Sequence, residues 1–127
     1  MIAVDTSALM GILLDEPEAE ACVDLLAADP DLLISAGTVA EALIVAGRRN
    51  IGAEMTSLID GLGFEIVPVT GAAARRVEQA YRRWGKGIHP AALNFGDCFA
   101  YALAKERNCH LLCLGNDFSR TDLRTVP

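Results

Sequence analysis

The chain opens on a short apolar run, Met1 to Val4, that stops at Asp5-Thr6-Ser7. Apolar residues resume from Ala8 to Leu14 with helical character and with Ser7 as the expected cap, so this stretch reads as strand, acidic turn and helix. From Pro17 to Ala28, apolar Cys22, Val23, Leu25 and Leu26 alternate with Glu18, Glu20 and Asp24 as in an amphipathic helix, closed by Asp29-Pro30-Asp31. Leu32 to Ile34 predicts a second buried strand. Helices follow over about Thr38 to Arg49 and Ala53 to Leu62, separated near Asn50 to Gly52. Phe64 to Val69 is β-rich and predicts a third strand, after which Thr70 caps a long helix through Trp84 that Gly85-Lys86-Gly87 ends, with His89-Pro90 continuing the loop. Helix resumes near Asn94 or Gly96 and runs to Arg107. Cys109 to Leu114 predicts a fourth strand, broken by Gly115-Asn116-Asp117. Strands alternating with helices imply a parallel sheet covered on both faces, the α/β class. No repeat, linker or low-complexity tract divides the chain, and residues 1–127 read as a single domain.

Composition narrows the partners. With 52% hydrophobic and 22% charged residues the chain buries a proper core, yet its longest apolar runs fall short of the roughly 18 residues of a membrane span. Met1 to Val4 lacks the basic flank of a signal peptide, so a soluble, cytoplasmic chain with no membrane role is expected. A net charge of −6 is the wrong sign for simple electrostatic adhesion to polyanions. The charge is uneven: residues 1–47 hold nine acids and no Lys or Arg, whereas residues 48–127 hold eight acids and eleven bases. One face is thus expected to repel phosphate or attract a basic partner, and another to hold a polyanion backbone. Cys22, Cys98, Cys109 and Cys113 form no two close pairs, which gives a zinc ribbon little support. Alternation along the fourth strand points Cys109 and Cys113 one way and His110 the other, and reduced core thiols are expected.

Four acids stand out. Asp5 and Asp117 follow predicted strands one and four, where the ligand crevice of an open parallel sheet lies. Glu41 is the only charge between Asp31 and Arg48, and Asp97 the only charge between Lys86 and Lys105. An ionised carboxylate in apolar surroundings costs several kcal/mol, on the order used for buried charges, unless it is paired or bound to a metal. Taken singly, each has a bland reading: Asp5 a helix cap, Asp97 a helix amino end, Glu41 an outward-pointing charge, Asp117 a turn residue. Taken together, they predict convergence around a hard divalent cation, Mg²⁺ or Mn²⁺. Thr6, Ser7 and Asn116 adjoin the acids and serve either to support that site or to cap and turn the backbone.

With these residues in hand, the chain resembles the PIN-domain ribonucleases of the VapC toxin family. The resemblance runs end to end and is carried by Met1-Ile2-Ala3-Val4-Asp5-Thr6-Ser7-Ala8, Glu41, the long stretch Leu93-Asn94-Phe95-Gly96-Asp97-Cys98-Phe99-Ala100-Tyr101-Ala102-Leu103-Ala104, and Gly115-Asn116-Asp117-Phe118. It implies a three-layer α/β/α domain with a central, mainly parallel sheet. It further implies that Asp5, Glu41, Asp97 and Asp117 are the metal-binding, catalytic acids, with Thr6 or Ser7 as the hydroxyl beside the first. Asp5, Asp97 and Asp117 correspond to direct ligands, and Glu41 to either a ligand or the holder of the attacking water. Many members of that family carry an acid where Asn116 stands, so this chain departs from the pattern there. The implied activity is metal-dependent endonucleolytic hydrolysis of RNA. The implied partners are a VapB-type antitoxin covering the active site and a second copy of the chain in a homodimer.

Arg75, Arg76, Arg82, Arg83 and Lys86, on one predicted helix and its exit, form a candidate RNA-binding group, with Tyr81 and Trp84 for base stacking; an ordinary solvated helix explains them equally. Residues 15–31 hold seven acids, and with Leu9, Ile12, Leu13 and Leu14 predict an apolar, acidic groove for a basic amphipathic segment. Three other readings compete. A metal-free nuclease would pair His89 with His110, but the latter lies in a predicted core strand. A phosphoacceptor receiver would need adjacent acids after strand one, where only Asp5 stands. The third is a PIN-like RNA- or protein-binding module without turnover, against which four intact acids argue.

Overall fold

The computed structural model describes all 127 residues. Five strands, β1 (Ile2–Val4), β2 (Leu32–Ser35), β3 (Glu65–Val67), β4 (His110–Leu112) and β5 (Thr125–Val126), form one sheet in the order β3-β2-β1-β4-β5. All four pairings are parallel. The helices are α1 (Thr6–Leu13), α2 (Ala19–Ala28), α3 (Ala36–Arg48), α4 (Gly52–Leu62), α5 (Gly71–Trp84) and α6 (Phe95–Arg107).

Alternation along the strands sorts their side chains into two cores. Ala3, Leu33 and Leu111 pack with Val77, Ala80 and Trp84 of α5 and the buried face of α6. Their neighbours Ile2, Val4, Leu32, Ile34 and Leu112 pack with residues of α1, α2, α3 and α4 on the other side. The result is the expected three layers of helix, sheet and helix. No helix is long and apolar enough to cross a membrane.

Strand order reverses between β1 and β4. The chain steps outward from β1 to β2 and β3, then returns to the opposite side of β1. The carboxyl ends of those two strands therefore flank the crevice of a parallel sheet. Asp5 emerges there, its N–H donating to the carbonyl of Leu112 at 3.0 Å.

Several boundaries differ from the sequence reading. The cap of α1 is Asp5, not Ser7: its side chain accepts the N–H of Ser7, which lies inside the first turn. Ser35 caps α3, so that helix begins two residues before Thr38. The third strand is shorter than Phe64 to Val69, because Pro68 has no N–H to offer a ladder. β5 was not anticipated. Its two residues are too few to set up a period, and it extends the edge through Leu111–Thr125 and Leu112–Val126. Residues 113–124 reach it from β4 by turns alone.

Candidate functional site

At the end of β1, the Asp5 carboxylate is 3% exposed and divides its two oxygens. Oδ2 accepts from the backbone N–H of Ser7 at 3.1 Å and from its hydroxyl at 2.7 Å, whereas Oδ1 is buried with no hydrogen-bond partner. The Ser7 hydroxyl also accepts from the N–H of Leu114 at 2.9 Å, tying the turn after β1 to the exit of β4. A buried acceptor left unpaired costs on the order of 1–3 kcal/mol, so Asp5 is held against a loss that a ligand at Oδ1 recovers.

Glu41 and Asp97 repeat the arrangement from two helices. On α3, Glu41 Oε1 accepts the Thr6 hydroxyl at 2.6 Å, and its other side lies so close to α6 that a Cβ at Gly96 would overlap the carboxylate. On α6, Asn94 and Asp97 form a reciprocal capping box: Asp97 Oδ2 accepts the N–H of Asn94 at 3.0 Å, and Asn94 Oδ1 accepts the N–H of Asp97 at 2.9 Å. No hydrogen bond engages Asp97 Oδ1. Asp117 is exposed, sits in the turn after β4 and makes no side-chain hydrogen bond.

The acids act on one another. Burial foremost pushes Asp97 up from 3.8 to about 7; the Asn94 N–H opposes this, and the charges of Asp5, Asp117 and Glu41 add to it. Asp5 rises to about 6, again mainly by burial, against the two hydrogen bonds from Ser7 and with a further push from Glu41. Residues spaced 36, 56 and 20 positions apart in the chain thus share one electrostatic neighbourhood.

A divalent cation fits this donor set by chemistry. Every candidate ligand is a hard oxygen, one of them is orphaned, and two of the acids hold their protons beyond the ordinary carboxylate range. No group of three or more His, Cys, Asp or Glu side chains forms a ready-made cage. Mg²⁺ needs none, since it characteristically takes one or two carboxylates and keeps several waters.

Other residues singled out in the sequence lie elsewhere or do other work. Asn116 is exposed, and its backbone carbonyl accepts the hydroxyl of Ser119 at 2.8 Å, a turn role. In the basic group, Arg76 pairs with Glu106 at 3.1 Å, Arg82 with Glu78 at 2.6 Å and Arg83 with Asp122 at 3.8 Å. Arg75 and Lys86 are exposed and make no ion pair. Trp84 is no stacking platform: it is buried in the core and donates its ring N–H to Tyr101. His110 starts β4, opposite Ile2 and away from Asp5, and His89 Nδ1 accepts the N–H of Ala91, so the two are not set with the acids. All four cysteines are free and buried. Leu9 is fully buried, which removes it from the expected groove, but Met10, Leu14 and Leu114 with Glu16 and Glu18 line a cavity of about 300 Å³ beside Ser7.

Sequence reasoning missed two of the residues that hold the acids. Asn94 was legible as a capping-box partner, three positions before Asp97. Gly96 carried no signal, because its role is the space that it leaves for Glu41.

Comparison with known proteins adds three findings. The PIN-domain family model matches residues 2–123. The chain is 41% identical to ribonuclease VapC of Mycolicibacterium smegmatis, covering 98% of this chain and 99% of that protein. It is 40% identical to ribonuclease VapC30 of Mycobacterium tuberculosis, covering 98% of both. Among solved structures, the sarcin-ricin loop cleaving toxin VapC20 of Mycobacterium tuberculosis superposes with a TM-score of 0.77 at 17% identity, over 97% of this chain and 96% of that one. A toxin–antitoxin complex from Klebsiella pneumoniae follows at 0.73 and 20%, over 100% and 97%. At these identities the two structures speak for the fold.

Proposed function

Because this chain belongs to the PIN-domain family, and to the VapC ribonucleases within it, we propose that it is a metal-dependent endoribonuclease, the toxin of a VapBC-type pair. The observation that carries this reading is that the charges of Asp5, Glu41 and Asp117, brought from three other parts of the chain, act on Asp97 at the amino end of α6.

The chain's own residues prepare the pocket. Ser7 and Asn94 each fix one oxygen of an aspartate and leave the second free, and Thr6 does the same for Glu41. Asp5, Asp97 and Asp117 would hold Mg²⁺ or Mn²⁺, with Glu41 either joining them or holding the water that attacks phosphorus. When bound, the cation supplies the Lewis-acid charge that phosphodiester hydrolysis draws on. No side chain need form a covalent intermediate. Arg75 and Lys86, exposed and free of carboxylate partners, are the cations of α5 and its exit left available to hold the RNA backbone.

Partners follow from surface chemistry. The apolar, acidic cavity beside Ser7 suits a basic amphipathic segment, and a VapB-type antitoxin laying such a segment there would cover the acids. Ile44 and Phe95, 59% and 69% exposed, flank a cavity of about 290 Å³ that Glu41 and Gly96 also line, which supports a homodimer on this side. We read the chain as one cytoplasmic domain.

The decisive experiment incubates the purified protein with total cellular RNA, with and without Mg²⁺ or Mn²⁺, and maps the new 5′ ends. Discrete cleavage that needs the cation supports the reading. Cleavage undiminished by chelator, or none with either ion, overturns it.

A further inference from the structure

We propose that Tyr101 and Asp122 are positioning residues, a clamp that sets the turn carrying Asp117 alongside the helix carrying Asp97. The inference rests on the ribonuclease reading of Asp117 given above.

Asp117 makes no hydrogen bond through its own side chain, so its place is set by its neighbours. On its amino side the chain leaves β4 through Gly115, whose φ of 81° lies in the left-handed region. Next to it Phe118, 2% exposed, is driven into the core. Two successive turns follow, closed by the N–H of Ser119 on the carbonyl of Asn116 at 3.2 Å and that of Thr121 on Phe118 at 3.1 Å. The segment then reaches Asp122, whose Oδ1 accepts the Tyr101 hydroxyl at 2.7 Å and whose Oδ2 pairs with Lys105 at 3.1 Å.

Asp97, Tyr101 and Lys105 are spaced four apart on α6 and so lie along one stripe of the helix. The stripe is matched in order: Asp117 acts on Asp97, and Asp122 binds Tyr101 and Lys105. The turn thus runs beside the helix, fastened one and two helical turns from the catalytic end. Tyr101 is anchored in its turn by the Trp84 ring N–H at 2.8 Å, which fixes the hydroxyl between a donor and an acceptor. Burial, then the bond to Asp122, pushes the phenol up to about 12, so it remains a donor at any working pH. Burial works to raise Asp122, but Tyr101, Lys105 and Arg83 outweigh it and keep that carboxyl below its ordinary value. The clamp is therefore a neutral donor on an ionised acceptor, the stronger kind of hydrogen bond.

The test measures Mn²⁺ binding to the RNA-free protein from the loss of the free-ion EPR signal, together with RNA cleavage across Mn²⁺ concentrations. Asp122→Ala, at a solvent-accessible position, is expected to weaken Mn²⁺ binding about tenfold, the scale for losing a group that orients a ligand. Cleavage at saturating Mn²⁺ and the KM for RNA are expected to change by less than about twofold, since Asp117 is displaced rather than removed. Asp122→Asn keeps an acceptor for Tyr101 and is expected to restore most of the binding. In an Asp117→Asn background, Asp122→Ala is expected to have no further effect, because the group it positions is gone. Tyr101→Phe, which leaves the Lys105 pair intact, provides the same comparison should Asp122→Ala fold poorly. Wild-type Mn²⁺ binding in both single variants, or an equal loss with and without Asp117, overturns the clamp alone. A wild-type protein that neither binds Mn²⁺ nor cleaves RNA overturns the ribonuclease reading and the clamp with it.

Discussion

Asp5 does two jobs with its two oxygens: Oδ2 closes the first turn of α1, and Oδ1 stays buried without a partner. A cap alone needs no second oxygen, and Asn caps as well as Asp. Asp5→Asn should therefore retain the helix while relieving a buried charge. The metal-free variant is expected to be ~1–2 kcal/mol more stable than wild type at pH 8, since each tenfold change in a proton equilibrium is worth about 1.4 kcal/mol. It should also lose RNA cleavage by a factor of about 100 or more, as expected for an essential ligand. Thermal unfolding and a cleavage assay on the same preparation check both halves; retained cleavage would remove Asp5 from the site. Gly96 offers the complementary test, because the substitution touches no acid. Gly96→Ala places a methyl where the Glu41 carboxylate lies, so Glu41 must move while α6, improved in propensity, keeps its fold. Cleavage is expected to fall by about tenfold or more with little change in unfolding temperature. Wild-type cleavage by the alanine variant would show that the position of Glu41 does not matter.

At the scale of elements, what was legible in the chain depended on how strongly each residue contrasted with its surroundings. Every helix was found, because each carries an apolar stripe long enough to repeat, and Thr70 and Asn94 mark two amino ends directly. Four of the five strands were found from their apolar and β-branched runs, β3 with its bounds drawn too long, and only β5 was missed. Ile66, 49% exposed on β3, shows that burial on both faces was not required, whereas the two residues of β5 are too few to make a run. The four acids were legible for the same reason: Glu41 and Asp97 interrupt apolar helices, and Asp5 and Asp117 follow strands. Their holders were harder to see. Ser7 was legible because it adjoins Asp5, but Asn94 and Tyr101 look ordinary in a cap or a core, and only the fold shows what they touch. Asn94 makes the point testable, since its capping box both starts α6 and fixes Asp97. Asn94→Ala is expected to cost ~1 kcal/mol of stability, the usual worth of a cap, and a larger share of cleavage. Denaturant unfolding beside the cleavage rate separates the two; a rate that merely tracks stability would reduce Asn94 to a cap.

For the molecule as a whole, the coupled acids make stability depend on pH in an unusual direction. The folded state holds the protons of Asp5 and Asp97 at about 6 and about 7, against an ordinary value of 3.8, so the native form binds protons more tightly than the unfolded chain. The stabilisation from these two groups is complete below the unfolded value. It drains away as pH rises through the folded values. Metal-free protein is therefore expected to be more stable near pH 5 than near pH 8, by on the order of 2 kcal/mol once the two groups are allowed to relax. The half-buried Asp29 and exposed Glu78 are shifted downward by their partners and act only at lower pH, outside this window. Mn²⁺ competes with protons for the same oxygens, so it should restore stability at pH 8 and do little at pH 5. Thermal unfolding at both pH values, with and without the ion, checks this. Asp5→Asn and Asp97→Asn should each flatten the pH dependence and shrink the effect of the ion. A wild-type curve that rises from pH 5 to pH 8 without metal would mean that the acids lie too far apart, or too wet, to form one site.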